Sequence, residues 1–150
     1  MPVGVTWLIE GHVVYGEFVG EITLDELAAF DEQTVAMLDS SSAPMVHGIH
    51  DMSAVTQYPP LSKIPKYASA SRPNSSWTVM AGMPNKFLMF LASVSSQIMK
   101  LRFQFTKSVP EAVDFLRELD PSVPVVSDEM IRAARQRTQA AIGQHAEWVP

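Results

Sequence analysis

Two apolar runs near the start of the chain have the composition of paired β-strands. Val5–Glu10 and His12–Val19 are rich in β-branched and aromatic residues, and Gly11 between them suits a tight turn. We therefore predict a hairpin at the start of the fold.

A helix is predicted next, over Leu24–Leu38. Thr23 and Glu26 stand three residues apart, the spacing of a capping box in which each side chain satisfies a backbone N–H of the other residue. The helical spacing of the apolar residues that follow predicts one buried face. That face consists of Leu27, Phe30, Thr34, Met37 and Leu38.

The middle of the chain alternates between predicted strands and helices. Met45–Met52 and Trp77–Met83 are strands too apolar to leave one face in water. Phe87–Leu101 is long enough to be a buried helix, Arg102–Thr106 alternates like a strand, and Ser108 caps a further helix. This order predicts an α/β fold with a mostly parallel or mixed sheet of about five strands and helices packed against it.

The composition changes after Pro121. The last predicted helix, Met130–Gln144, is rich in Arg, Gln and Ala, and its apolar positions are sparse. We expect residues 1–122 to form the α/β domain. Residues 123–150 are expected to form a C-terminal helical appendage that docks loosely on this domain or on a second copy.

The charges are segregated along the chain. Residues 1–62 contain nine acids and no Lys or Arg, whereas residues 63–107 contain seven bases and no acid. This arrangement either builds an anion-attracting face or is neutralised where the fold interleaves the segments. The net charge of −5 and the lack of basic residues interleaved with aromatic ones argue against nucleic acid as a partner.

The sequence contains no cysteine, which excludes disulfides and thiolate chemistry. Its first residues have neither the basic start nor the apolar centre of a secretory signal. The longest uncharged apolar stretch, Phe87–Met99, is shorter than the ~20 residues that a helical membrane span requires. We expect a cytoplasmic protein without a transmembrane segment.

Three residues, His47, His50 and Asp51, are the candidates for metal binding or acid–base chemistry. Residues three apart on a strand point to opposite faces, so the two histidines cannot converge on one ion. No hydrolase, phosphate-loop or dinucleotide motif is present. We therefore predict no metal, no cofactor and no enzymatic activity. His50 keeps a functional position, because open α/β sheets bind ligands at the carboxyl ends of their strands.

The helix Phe87–Leu101 has more apolar surface than one sheet can cover. We expect Leu88, Met89 and Met99 to lie away from the sheet and to form the interface of a homodimer. Cover by the C-terminal helix, and contact with a ligand or membrane, are the alternatives. The stripe predicted to pack on the sheet consists of Phe87, Phe90, Leu91, Val94, Ile98 and Leu101.

Residues 5–120 resemble the STAS domain and its SpoIIAA-like branch. The resemblance rests on the N-terminal strands, the Thr23-capped helix, the strand ending His50-Asp51-Met52-Ser53, the WTVMAG strand and the segment RFQFTKSVPEAVDFLREL. It implies a regulatory module similar to the anti-sigma-factor antagonists, which bind a kinase partner and are switched by phosphorylation of a serine in a D-S-S-G sequence.

That phosphorylated motif is missing from this chain. Asp51 and Ser53 match the start of the family pattern, but Thr56-Gln57-Tyr58-Pro59-Pro60 stands where D-S-S-G would come. The resemblance therefore implies the scaffold and not the phosphorylation switch.

On these grounds we predict a non-enzymatic regulatory or protein-binding module. The alternatives are a carrier or sensor of a small apolar or lipid-like ligand held between sheet and helices, and an enzyme that uses Asp51 and His50. The ligand- or partner-binding residues are predicted on the loop that leaves the strand Met45–Met52. They are Asp51, Ser53, Tyr58, Lys63 and Lys66.

Overall fold

The computed structural model describes residues 3–64 and 67–146, and its centre is a five-stranded mixed sheet. The strands lie side by side in chain order. The first pair is antiparallel and the other three pairs are parallel, which confirms the predicted α/β fold class. The strands are β1 (Val3–Ile9), β2 (Val13–Glu21), β3 (Val46–Gln57), β4 (Ser75–Ala81) and β5 (Arg102–Thr106).

Helices cover both faces of the sheet. They are α1 (Leu24–Ser40), α2 (Lys86–Ile98), α3 (Val109–Leu119) and α4 (Asp128–Ala146). At the start of α1, the Thr23 hydroxyl accepts from Glu26 N and the Glu26 carboxylate accepts from Thr23 N, so the predicted capping box is confirmed. Within the described ranges, none of the helices combines the length and apolar content needed to cross a bilayer.

Each strand divides its side chains between two layers of core, because alternate residues point to opposite faces. On one side, α1 and α2 pack around Phe18 and Met80. On the other side, α3 and α4 pack around Ile49 and Val79. We call these sides the α1/α2 face and the α3/α4 face. Both are covered, in agreement with the apolar sequences of β3 and β4.

The strand β3 is longer than predicted. We expected it to end at Met52, but it continues to Gln57 and stays paired with β2 through two register shifts. The reason is that β2 itself runs to Glu21 and offers a partner along its whole length, while Val55 is buried between the strands and the helices. Met52–Gln57 therefore belong to the sheet and not to a loop.

The C-terminal helix is part of the core, and the expectation of loose docking is wrong. In α4, Ile131 and Ala134 are buried within the same apolar cluster as β2, β3 and α3. Next to them, α4 approaches β1 so closely that a Cβ at Gly4 would lie 2.7 Å from the carbonyl oxygen of Thr138. A few buried residues thus pack α4 closely on the sheet, although the overall composition of the helix is polar. The predicted division of the chain near residue 122 stays a prediction.

The helix α2 turns the opposite side to the sheet from the one we predicted. Leu88 and Ala92 are buried against the sheet, together with Ser95 and Ser96. The outward residues include Phe87, Phe90 and Ile98, which were expected inside. The small side chains of alanine and serine allow the helix to approach the sheet closely. Close packing therefore decides which side faces inward, although the outward side contains larger apolar residues. Leu88 therefore cannot form a dimer surface.

Candidate functional site

A partly enclosed cavity of about 100 Å³ lies on the α1/α2 face. Residues of β2, β3 and β4 form its floor, α1 forms one wall, and the C-terminal end of α2 contributes to the other. Its outer side is lined by Tyr58, Tyr67, Ser69 and Ala70 from the chain between β3 and β4, and we call residues 67–72 the roof. The lining is mainly apolar and includes Phe18, Phe30, Met52, Met80, Met99 and Leu101.

Two glycines on adjacent strands, Gly16 and Gly48, lie on the α1/α2 face and have different structural effects. A Cβ at Gly16 would lie 2.6 Å from a ring carbon of Phe30, so the packing of that ring requires glycine. Gly48 lines the cavity, and a Cβ there would make an ordinary 3.5 Å contact with Nε2 of His50. No close packing requires glycine at Gly48. Its effect is to leave space in the cavity floor.

The roof of the cavity is held to α1 by hydrogen bonds and an ion pair. The Asp31 carboxylate accepts from the backbone N of Ala68 at 3.0 Å, from the backbone N of Ser69 at 3.1 Å and from the Ser69 hydroxyl. Further along, Arg72 pairs with Asp39 at 3.1 Å. The Arg72–Asp39 pair is partly exposed, and such pairs are individually weak. The part-buried hydrogen bonds from Ser69 to Asp31 hold the roof against α1.

Polar groups without partners accompany this cavity. The hydroxyls of Tyr67 and Ser95 are buried and make no hydrogen bond within the described part of the chain. Burial raises the pKa of Tyr67, and the nearby Tyr58 and Asp31 raise it further. Burial also raises the pKa of Tyr58, while the neighbouring Ser95 hydroxyl offsets part of that rise. Both phenols are therefore protonated at neutral pH and can donate a hydrogen bond.

His50 is the titratable group of the cavity floor. Its ring packs edge-on against Phe30 at a centroid distance of 5.0 Å and lies 5.4 Å from the ring of Phe18. Desolvation in these apolar surroundings lowers its pKa to about 4. No hydrogen bond joins the ring to any residue of the described ranges, and the ring lines the cavity. At neutral pH, His50 thus offers the cavity an uncharged donor and acceptor.

The other histidine of β3 is used structurally on the α3/α4 face. The Nδ1 of His47 accepts from the backbone N of Trp77 at 3.3 Å, so Nε2 carries the proton and donates to Asp120 at 2.9 Å. Asp120 also accepts from the backbone N and the hydroxyl of Ser122, and these bonds and His47 lower its pKa. Both histidine nitrogens are satisfied. The prediction that the two histidines point to opposite faces is confirmed.

A second polar group on the α3/α4 face joins the sheet to α4. The carboxylate of Asp51 accepts from the Tyr15 hydroxyl at 3.3 Å and lies 3.6 Å from the guanidinium of Arg135. Beside it, Glu17 accepts from the hydroxyl of Thr138 at 2.7 Å. Desolvation raises the pKa of Tyr15 to about 12, so its hydroxyl remains a donor. Through these contacts the buried carboxylates of Asp51 and Glu17 hold α4 to the sheet.

The structure separates the residues that the sequence predicted as one site. Asp51 and Ser53 lie together on the α3/α4 face, where the Ser53 hydroxyl donates to Asp51 at 2.7 Å. Tyr58 lines the cavity on the opposite face. Lys63 is exposed on the short 3-10 turn Leu61–Lys63. Lys66 lies outside the described residues.

Of the residues predicted for a dimer, Leu88 is buried in the subunit, and Met89 and Met99 are half-buried. Met99 lines the cavity. Within residues 3–64 and 67–146, no three His, Asp or Glu side chains lie close enough to hold a metal ion.

Sequence reasoning missed Asp31, Gly48 and Tyr67. Gly48 carried a usable signal, because glycine inside a buried strand marks a bulge or a place where something else approaches the backbone. Asp31 stands among the apolar positions of an amphipathic helix, and only the tertiary fold brings it to the roof. Comparison of the sequence with models of known protein families and with curated proteins finds no match.

Proposed function

We propose that this chain is a non-enzymatic binding module, a carrier or sensor, for a small apolar ligand that carries one hydrogen-bonding group. The observation that carries the proposal is that His50 and Tyr67 line the same apolar cavity. The buried hydroxyl of Tyr67 has no hydrogen-bond partner among the described residues, and no hydrogen bond joins the His50 ring to them. A buried polar group without a partner costs on the order of 1–3 kcal/mol. A ligand that bonds to the Tyr67 hydroxyl recovers that free energy, and His50 offers it a second hydrogen-bonding group.

The dimensions of the cavity limit the ligand to a small molecule. Its volume of about 100 Å³ approaches that of the engineered apolar cavity of about 150 Å³ that takes up benzene. This volume therefore limits the ligand to about the size of a single aromatic ring or a short branched chain. A charged ligand is disfavoured, because His50 is neutral and apolar side chains dominate the lining.

The regulatory role implied by the STAS-like resemblance stays part of the proposal. In that family a phosphorylated serine follows the third strand, and here the same stretch contains Tyr58, whose side chain lines the cavity. We propose that ligand binding beneath this stretch takes the place of phosphorylation, so that a protein partner distinguishes the filled state from the unfilled one.

Isothermal titration calorimetry with p-cresol, which carries a hydroxyl, and toluene, which does not, tests the proposal. We expect p-cresol to bind more tightly, and Gly48→Val to abolish binding of both, because the new side chain occupies the cavity floor. Thr56→Val is the matched control, since Thr56 is exposed on the same strand and does not line the cavity.

Two results would contradict the proposal. The first is the absence of binding by either probe to the wild-type chain. The second is binding that Gly48→Val leaves unchanged, which would place the probes on another surface.

A further inference from the structure

The outward side of α2 exposes a continuous apolar stripe. Phe87 is 67% exposed, Phe90 is 61% exposed and Ile98 is 51% exposed. Leu91 and Val94 lie between them at helical spacing and are half-buried. Large aromatic side chains this exposed, and next to one another on one helix, mark a surface that meets another apolar phase.

The helix as a whole is apolar nearly all the way round. Its inner side buries Leu88 and Ala92 against the sheet, and its outer side is the stripe of Phe87, Phe90 and Ile98. Only a narrow flank is polar, and the helix contains no acid. A helix of this kind is normally covered on both sides. In the described part of the chain, only the inner side is covered.

Basic residues lie at both ends of this stripe, while acids of α3 share a surface pocket with Met89, which is not part of the stripe. The helix lies within residues 63–107, which contain seven bases and no acid. Lys86 is exposed at its first turn, and Lys100 and Arg102 are exposed just after its end. The acids of α1 belong to the helix that packs beside β1 and the roof of the cavity. The apolar stripe is therefore bordered by positive charge at both ends, although the whole chain is acidic.

We propose that α2 docks on the surface of an anionic lipid bilayer, with Phe87, Phe90 and Ile98 inserted at the boundary between headgroups and acyl chains. Interfacial helices combine an exposed apolar face with flanking Lys and Arg in this way. Each basic residue near an anionic surface strengthens binding about fivefold. Pairing of two copies through the same stripe is disfavoured, because two-fold symmetry would bring Lys86 and Lys100 of each copy towards those of the other.

Co-sedimentation with vesicles of pure phosphatidylcholine and of phosphatidylcholine mixed with phosphatidylglycerol tests this proposal on the full chain. We expect binding to the mixed vesicles, loss of most of that binding in high salt, and little binding to pure phosphatidylcholine. Phe87→Ser/Phe90→Ser is expected to weaken binding at least about tenfold, since it removes two inserted rings. Val125→Ser is the matched control, because Val125 is 70% exposed but lies outside the basic segment.

A second pair of variants tests the role of charge. Lys86→Glu/Lys100→Glu is expected to weaken binding at least about tenfold, whereas Arg117→Glu/Arg132→Glu, with the same change in net charge at exposed sites of α3 and α4, is expected to have little effect. The proposal is overturned if the wild-type chain ignores both kinds of vesicle or binds them equally. It is also overturned if sedimentation shows a dimer that Phe87→Ser/Phe90→Ser dissociates while vesicle binding is absent. None of these outcomes depends on whether the cavity binds a ligand.

Discussion

The two faces of the sheet treat buried polar groups in opposite ways, and the two histidines of β3 show the difference most clearly. His47 points to the α3/α4 face, where Trp77 and Asp120 satisfy both of its ring nitrogens. His50 points to the α1/α2 face, where it meets aromatic rings and lines the cavity without a hydrogen bond to any described residue. Both residues are histidines of the same strand, and the difference between them lies in their surroundings.

The contrast teaches how to separate structural from functional polar residues in this fold. On the α3/α4 face, each buried carboxylate and the histidine have hydrogen-bond partners, and these bonds help to hold α3 and α4 to the sheet. On the α1/α2 face, Tyr67 and His50 line the cavity without a hydrogen bond to any residue that the structure describes, and we propose that a ligand supplies one. The first prediction below compares the two faces, and the next two examine the α1/α2 face more closely.

The largest effect is expected from replacing the two histidines separately. His47→Leu should lower the free energy of unfolding by about 3–5 kcal/mol, because it removes one hydrogen bond from the buried Asp120 carboxylate and leaves the backbone N of Trp77 without its acceptor. His50→Leu should change it by less than about 1 kcal/mol in either direction, because an unpaired polar ring gives way to an apolar side chain. Urea denaturation followed by circular dichroism measures both. Equal losses for the two variants would contradict the distinction between the faces.

The next largest effect is the pH dependence that His50 confers. Its pKa is about 4 in the folded chain and about 6.5 when unfolded, so on acidification the unfolded chain takes up the proton first. The free energy of unfolding should therefore be highest above pH ~6.5 and fall by about 3 kcal/mol on approaching pH ~4. Denaturant titrations across this range should show the loss in the wild-type chain and a smaller one in His50→Leu. Identical pH profiles would mean that His50 is not desolvated in the folded chain.

The smallest effect distinguishes the two glycines of the α1/α2 face. Gly16→Ala should destabilise the fold by about 1–3 kcal/mol, since its Cβ collides with the Phe30 ring. Gly48→Ala should stabilise it by about 0.5–1 kcal/mol, because alanine restricts the unfolded chain and meets only an ordinary contact. Thermal unfolding of the two variants shows whether each substitution lowers or raises the stability of the fold. A destabilising Gly48→Ala would mean that packing, and not open space, explains this glycine.

The sequence predicted much of the fold because its signals are local. The capping box of Thr23 and Glu26, the apolar strands β3 and β4, and the order of elements all depend on neighbouring residues, and the structure confirms them. The orientation of α2 was not predictable in this way. It depends on how closely Ala92 and Ser95 allow the helix to approach the sheet, which is a property of two surfaces and not of one pattern.

The candidate site was predicted less well than the fold. Tyr58 lines the cavity, whereas its predicted role in binding a ligand or partner stays a prediction. Asp51 and Ser53 were grouped with it because they are close in sequence, yet alternation along β3 sends Asp51 to the other face, where Arg135 of α4 lies beside it. That contact joins residues far apart in the chain, and no local pattern signals it.

The central claim is that the cavity on the α1/α2 face takes up a small apolar molecule, and methionine methyl NMR tests it most directly. Met52, Met80 and Met99 line the cavity, while Met45 is exposed elsewhere and Met130 packs on the α3/α4 face. In a titration with p-cresol, we predict saturable shifts of the three cavity methyls and stationary signals from Met45 and Met130. Stationary cavity methyls, or shifts of equal size at all five positions, would contradict it.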